Sequence, residues 1–326
     1  MTAEASATQE SAGASTTEVR APAGARATRS RIARHALPPS WPISVLRTAR
    51  PRQWPKNLLV FAAPLAGATF GRPHGLLYAL VAAAAFGAAS GAVYFINDVA
   101  DAERDRRHPR KRYRPIAAGN LPTSHALVIG AACAAAGLAA GLAVSVPLLT
   151  AAVGGYLGIS FLYSLVLKNI PVIELVFVAS GFLLRVLGGA AATRVPPSGW
   201  FLLVCSLGAL GVATAKRYTE LAGLGQAAIQ HRPVLRWYTP AALMVTQWVI
   251  GAGMIAAYLA WAAGERPSAQ GWHILSAVPL AAALVRFAVL TARHTTAPVE
   301  DLLMRDGLML TCELSWLALF VTGLQA

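Results

Sequence analysis

Long apolar runs separated by short polar breaks fill the chain from about residue 54 to its end. Nine of them are long enough to cross a bilayer core as helices, at about 1.5 Å per residue over about 30 Å. They lie near 54–71, 75–97, 124–145, 147–167, 171–192, 199–217, 239–262, 272–292 and 303–323. The first is the weakest: its strictly apolar part, Leu58 to Phe70, is short and contains Pro64. The pattern predicts an all-α polytopic membrane protein with nine transmembrane helices.

The polar breaks alternate in length. Those at 98–123 and 218–238 are long, whereas 71–75, the turn at Pro147, 193–198 and 263–271 are short. Lys and Arg follow the same division. They gather in the segment up to Lys56, in 98–123, at Lys168, in 216–238 and in 293–305. The other side holds only Arg72, Arg194 and Arg266, while Arg185 and Arg286 fall within spans. Cytoplasmic loops carry the excess of cations. The N-terminus and the functional groups are therefore expected in the cytoplasm, and the C-terminus outside a plasma (inner) membrane.

Composition sharpens this picture. The chain is 56% hydrophobic and 13% charged, against about a quarter charged in soluble domains. Residues 1–45 differ from the rest, being rich in Ala, Ser, Thr and Arg with few large apolar residues. Such a segment cannot bury a core and is expected to be a disordered cytoplasmic tail whose arginines meet anionic lipid. It has no apolar h-region of a secretory signal. Residues 46–326 form the membrane domain. The net charge of +14 reflects topology, since no basic stripe with interleaved aromatics marks a nucleic-acid binder. Cys133, Cys205 and Cys312 lie in apolar segments without zinc or disulfide spacing, as small core residues. Gly87, Gly91, Gly154, Gly155, Gly158, Gly188 and Gly189 suggest close helix packing.

The candidate chemistry begins where the second span ends, at Asn97-Asp98-Val-Ala-Asp101-Ala-Glu103-Arg-Asp105. On one helix Asp98, Asp101 and Asp105 fall within about 60° of one another, bordered by Asn97, with Glu103 on the far side. Converging carboxylates need a cation among them, and Mg²⁺, with its oxygen ligands, suits them. The plainer alternative is a solvated acidic helix end. The following loop carries Arg110, Lys111, Arg112 and Arg114. Carboxylates, Mg²⁺ and arginines together can hold a polyphosphate as it leaves, although some of these cations also serve as positive-inside anchors.

Further constellations lie at Lys56-Asn57, at Tyr163 to Lys168, at the intramembrane Glu174 and Arg185, and at Lys216-Arg217-Tyr218-Thr219-Glu220. Ionisable residues inside spans are costly and mark function by default, with structural pairing as the alternative. Lys216 and Glu220, four apart, share a helix face and could form a surface ion pair. No nucleophile elbow, P-loop or dinucleotide fingerprint is present, nor is the acidic pattern of soluble phosphoribosyltransferases.

Asn97-Asp98-x-x-Asp101-x-x-x-Asp105, followed by Arg-Pro-Ile-Ala-Ala-Gly at 114–119, resembles the first signature of the UbiA intramembrane prenyltransferase superfamily. The resemblance runs from about Arg50 to the C-terminus. It implies helices around a central cavity open to lipid, with Asn97, Asp98, Asp101 and Asp105 holding Mg²⁺-bound pyrophosphate. The superfamily's second Asp-rich motif is replaced here by Lys216-Arg217-Tyr218-x-Glu220. That replacement, with Arg-Pro-x-Gln-Trp-x-Lys-Asn at 50–57 and Tyr-Ser-x-x-Leu-Lys at 163–168, is similar to the branch that transfers 5-phosphoribose from phosphoribosyl pyrophosphate to decaprenyl phosphate for cell-wall arabinan. The extra cations suit the extra phosphates of those substrates. The resemblance implies Asp98, Asp101, Asp105 and Arg112 as catalytic groups. The candidate substrate contacts, taken from these constellations together, are Lys56, Asn57, Arg110, Lys111, Arg114, Tyr163, Lys168, Glu174, Arg185, Lys216, Arg217, Tyr218 and Glu220. The expected partners are phosphoribosyl pyrophosphate, a polyprenyl phosphate and the bilayer, with no nucleic acid and a homo-oligomer left open. The alternatives are an ordinary prenyltransferase acting on a prenyl diphosphate, and a non-catalytic transporter or scaffold, which would call for inverted repeats with broken helices.

Overall fold

A computed structural model describes residues 40–108, 111–293 and 299–326. The expected tail therefore lies almost wholly outside the described residues, as does Arg110. The described residues contain helices and no strand. In order they are α1 (Trp41–Ala49), α2 (Ala62–Ala66), α3 (Gly75–Ala100), α4 (Ala102–Arg107), α5 (Thr123–Ala143), α6 (Pro147–Leu165), α7 (Ile173–Thr193), α8 (Gly199–Leu224), α9 (Gln226–His231), α10 (Pro240–Ala263), α11 (Pro267–Arg293), α12 (Val299–Arg305) and α13 (Gly307–Gln325). Eight of these are long and apolar enough to cross a membrane: α3, α5, α6, α7, α8, α10, α11 and α13. The chain is an integral membrane protein.

The first predicted span takes a different form. Residues Pro51–Phe61 make a 3₁₀ helix, followed by the short α2 and a second 3₁₀ turn at Thr69–Gly71. The cause is proline. Pro51, Pro55 and Pro64 each lack an N–H and crowd the preceding turn, so a continuous α-helix cannot form. The boundary drawn at residue 45 falls within α1, which Arg50 ends in the left-handed conformation at φ 53°.

Helix starts follow their sequence signals. The Ser198 hydroxyl accepts from Phe201 N at the head of α8, Thr239 from Ala242 N at α10, and the Asp306 carboxylate from Met309 N at α13. Packing depends on small residues at a few points. A Cβ at Gly189 would lie 1.8 Å from the carbonyl oxygen of Val60, and one at Gly188 would lie 2.3 Å from the Phe86 ring. These contacts seat the 3₁₀ segment and α3 against α7. Gly87, Gly91, Gly154 and Gly155 meet neighbours only at ordinary distances, and a Cβ at Gly158 would meet nothing within 4 Å. Phe86, Leu149, Val153 and Val60 centre the largest core cluster. All three cysteines are free; Cys312 is buried, whereas Cys133 and Cys205 are only partly so.

Gly189→Ala should therefore destabilise the protein in a detergent melting experiment. The gain in helix propensity, about 1 kcal/mol, is outweighed by overpacking of about 1–3 kcal/mol. Gly87→Ala, with its nearest neighbour 3.7 Å away, should be neutral or mildly stabilising. Equal melting temperatures for the two variants would contradict this packing.

Candidate active site

The carboxylates at the end of α3 do not share one uninterrupted helix. The α3 ladder stops at Ala100, Asp101 serves as its cap, and α4 restarts at Ala102. Asp98 and Asp105 are 3% and 2% exposed. Both accept from a single guanidinium nitrogen, Nη1 of Arg114, at 3.0 and 2.7 Å. Asp98 also accepts from Arg50, whose guanidinium lies 4.8 Å from the Tyr94 ring centre. Asp101 turns away to Arg104, at 2.8 Å. Glu103 accepts from Arg106 at 2.6 Å on the outer side, as the helical angles require.

The turn at 114–119 explains how Arg114 arrives there. Ile116 is 1% exposed and packs with Phe95, Leu121 and Ala126. Gly119 closes the turn at φ 80°, a left-handed value that glycine adopts freely. The buried isoleucine pins the loop, and the loop delivers the arginine. Lys111 and Arg112 remain exposed, with Arg112 donating to Tyr113 Oη at 2.7 Å. The structure does not bring these two to the carboxylates. Asn97 is half-buried beside Asp98.

Among the described residues no three Asp, Glu, His or Cys side chains form a ready-made metal cage. The donor set around Asp98 nevertheless fits a hard divalent ion. Every donor is an oxygen, and a cationic guanidinium already stands between two of the carboxylates. Arg50 and Arg114 are about a third exposed, so both can swing toward an incoming anion.

A second charged centre joins α6, α7 and α8. Glu174, fully buried in the first turn of α7, accepts from Arg217 Nε through both oxygens, at 2.7 and 2.9 Å. Arg217 also donates to Glu220 at 2.8 Å and to Tyr163 Oη at 3.3 Å. Arg232 adds contacts to Tyr163 at 3.1 Å and to Glu174 at 3.2 Å. Glu220 thus pairs with Arg217. Lys216 lies over the Phe182 ring, 6.0 Å from its centre. Arg232 appeared in the sequence only as a loop cation; Pro233, which follows it, holds it extended and out of α9. Tyr238 Oη accepts from the amide of Val172 at 2.8 Å, and burial pushes this phenol's pKa up. Tyr218 packs against Leu221, Leu235 and Leu243 instead of facing the charges. Lys168 sits half-buried on the 3₁₀ turn Leu167–Asn169.

Arg185 belongs to a third group. It lies eleven residues further along α7 than Glu174, about 16 Å deeper. It donates to Asn57 Oδ1 at 2.9 Å, to Ser90 Oγ at 2.9 Å and to the Gly181 carbonyl at 2.7 Å, and it covers the Tyr156 ring at 4.5 Å. All these partners are neutral. Ser90 lies eight residues before Asp98, about 12 Å below it along α3. Asn57 also borders a groove of about 490 Å³ with Trp54, Leu58, Phe61, Gly87 and Gly91. Lys56, next to Asn57, donates to Gln53.

The model of the UbiA prenyltransferase family matches residues 57–305. The decaprenyl-phosphate phosphoribosyltransferase of Mycobacterium tuberculosis is 34% identical over 278 residues, 84% of this chain and 92% of that protein. The protein of the same name from Corynebacterium glutamicum is 32% identical over 281 residues, 83% of this chain and 84% of that protein. A solved UbiA homologue from Archaeoglobus fulgidus, bound to GPP and Mg²⁺, matches with a TM-score of 0.62 at 17% identity, over 86% of this chain and 98% of that one. It shares the fold.

The pairing of Glu174 with Arg217 makes a stability prediction. Glu174→Leu leaves a buried guanidinium short of a carboxylate and should cost about 3–5 kcal/mol, whereas Glu174→Leu with Arg217→Leu should recover most of it. In the double variant Glu220 and Arg232, 3.5 Å apart, still balance each other. Melting curves in detergent read the difference. A double variant no more stable than Glu174→Leu would rule the pair out as the source.

Proposed function

The chain belongs to the UbiA prenyltransferase family, and on that premise we propose that it transfers 5-phosphoribose from phosphoribosyl pyrophosphate to a polyprenyl phosphate such as decaprenyl phosphate, releasing pyrophosphate. The names of the two curated relatives support this reading. The observation that carries it is the state of the second charged centre. Glu174 and Glu220 are already engaged by arginines, and the Arg217 side chain is only 4% exposed. A centre of that kind leaves no spare carboxylate for metal, and Arg232, about a third exposed at its edge, suits an extra phosphate.

Asn97, Asp98 and Asp105, joined by Asp101 once it leaves Arg104, are the oxygen donors that would hold Mg²⁺, which when bound supplies Lewis-acid neutralisation of a departing pyrophosphate. Arg50 and Arg114 turn from the carboxylates to the leaving group, helped by Arg110, Lys111 and the catalytic candidate Arg112. Lys56, Lys168, Lys216 and Arg232 receive the 5-phosphate and the lipid phosphate, while Arg217, locked between Glu174 and Glu220, holds Tyr163 and the two glutamates in place beside them. Asn57 and Arg185 fix the 3₁₀ segment that carries Lys56. As the C1–O bond breaks, the ribose gains oxocarbenium character, and the lipid phosphate attacks from the opposite face with inversion. That phosphate is already largely ionised at pH 7, its second pKa being near 6, so neither a protein nucleophile nor a general base is needed. The transferase domain starts with α1, near residue 40 rather than 46, and the residues before it are read as a cytoplasmic tail. The proposed orientation places the active site and N-terminus in the cytoplasm and the C-terminus outside the plasma membrane, and the product feeds cell-wall arabinan.

The family match by itself is also compatible with a second reading, transfer of a prenyl group from a prenyl diphosphate. Charge reversal at Lys216 separates the two. Under the phosphoribosyl reading Lys216→Ala should raise a substrate KM, by about 10- to 150-fold for a lost contact of about 1.5–3 kcal/mol. Lys216→Asp should be worse, because a carboxylate would face an anion. Under the prenyl reading an acid at this position restores the family's usual motif and should be harmless or helpful. Wild-type phosphoribosyl kinetics in Lys216→Asp would remove this motif from the site. Asp98→Asn should lower the rate at least ~10²-fold, as removal of one preorganised electrostatic group does; near-normal activity at limiting Mg²⁺ would refute the metal assignment.

A further inference from the structure

A second cationic pocket lies at the other end of α3. It encloses about 300 Å³ between the start of α3 and the end of α7, and it is lined by Arg72, His74, Gly75, Tyr78, Thr193 and Arg194 among others. The 26 residues of α3 span about 39 Å at 1.5 Å each. The pocket is therefore on the membrane face opposite Asp98. Cations are scarce on that face: of Arg72, Arg194 and Arg266, two meet here.

Nothing among the described residues answers their charge. Arg72 and Arg194 are exposed, neither side chain makes a hydrogen bond or ion pair, and no acid lines the pocket. The first turn of α3 also has no acidic residue and no side-chain cap, so the positive end of a long helix adds to the field. The walls are held in unusual backbone conformations. His74 and Arg194 are left-handed at φ 64° and 56°, and nearby Ala68 at 47°, conformations that surrounding structure must hold in place. The wall behind is closed, since a Cβ at Gly75 would lie 2.1 Å from the Thr69 carbonyl oxygen. Just below the pocket on α3, Leu76, Leu77 and Leu80 are each about half exposed, an apolar strip one turn from the cations.

We propose that this pocket binds the phosphate headgroup of an anionic membrane lipid in the leaflet opposite the active site, with the acyl chains lying along Leu76, Leu77 and Leu80. Two unpaired guanidiniums, an uncapped helix end and an apolar strip match such a ligand in charge and in polarity. The bound lipid bridges the ends of α3 and α7, whose opposite ends carry Asp98 and Glu174.

The test uses the full chain, delipidated in neutral detergent and titrated with phosphatidylglycerol, phosphatidylcholine or inorganic phosphate, and read by native mass spectrometry and by melting. Phosphatidylglycerol should bind and raise the melting temperature, and phosphatidylcholine should do neither. Arg72→Gln with Arg194→Gln should weaken that binding by about tenfold or more, while Arg266→Gln should match wild type. If the double variant does not fold, each single variant should show part of the loss, and Arg72→Lys with Arg194→Lys should keep the binding. Wild-type affinity for phosphatidylglycerol in the glutamine variants would overturn the proposal, as would binding of inorganic phosphate alone or equal binding of phosphatidylcholine.

Discussion

Asp98, Asp105 and Glu174 are buried carboxylates in a protein whose surroundings are largely hydrocarbon, and each must be answered by a cation. The desolvation cost of an unpaired ion in such a setting is several kcal/mol, more than most local structural preferences. That constraint decides where the arginines lie. Arg114 is drawn between Asp98 and Asp105, Arg50 onto Asp98, and Arg217 and Arg232 onto Glu174. Each arginine carries its own segment with it. The 114–119 turn is fixed beneath α3 and α5, the segment after α9 folds back toward α6 and α7, and α1 ends where Arg50 must reach inward. The loops at this end of the helices are thus positioned by charge as much as by packing.

The two charged centres differ in a way that bears on chemistry. Arg50 and Arg114 keep about a third of their surface exposed, so an incoming anion can draw them off the carboxylates. Arg217 is locked between two glutamates. One centre can exchange its cation partners and the other cannot. The deeper Arg185 is a different device. It has only neutral acceptors, from the 3₁₀ segment, α3 and its own helix, and it fastens these elements together at a level where water is scarce.

Much of this was legible in the chain. Eight of the nine expected spans coincide with long apolar helices, because a run of some 20 apolar residues has few alternatives. The remaining one was legible as weak, and its prolines explain why it forms a 3₁₀ segment. The angular argument for the acids held for Asp98 and Asp105, which meet at Arg114, and failed for Asp101. It assumed a continuous helix, whereas the ladder stops at Ala100. Arg232 could not be read as a site residue, since its partners Tyr163 and Glu174 are 69 and 58 positions away. Lys216 and Glu220 had the spacing of an ion pair, but that spacing did not reveal that Arg217, three residues before Glu220, also takes it as a partner.

The most direct test of the proposed chemistry follows the ribose itself. Purified protein in lipid nanodiscs would be given phosphoribosyl pyrophosphate labelled in the ribose, a polyprenyl phosphate and Mg²⁺, with a parallel sample receiving a prenyl diphosphate and an aromatic or lipid acceptor. Transfer of the ribose label into the lipid fraction, with one pyrophosphate released per label transferred, is the predicted result. An unlabelled lipid fraction alongside consumption of the prenyl diphosphate would contradict it.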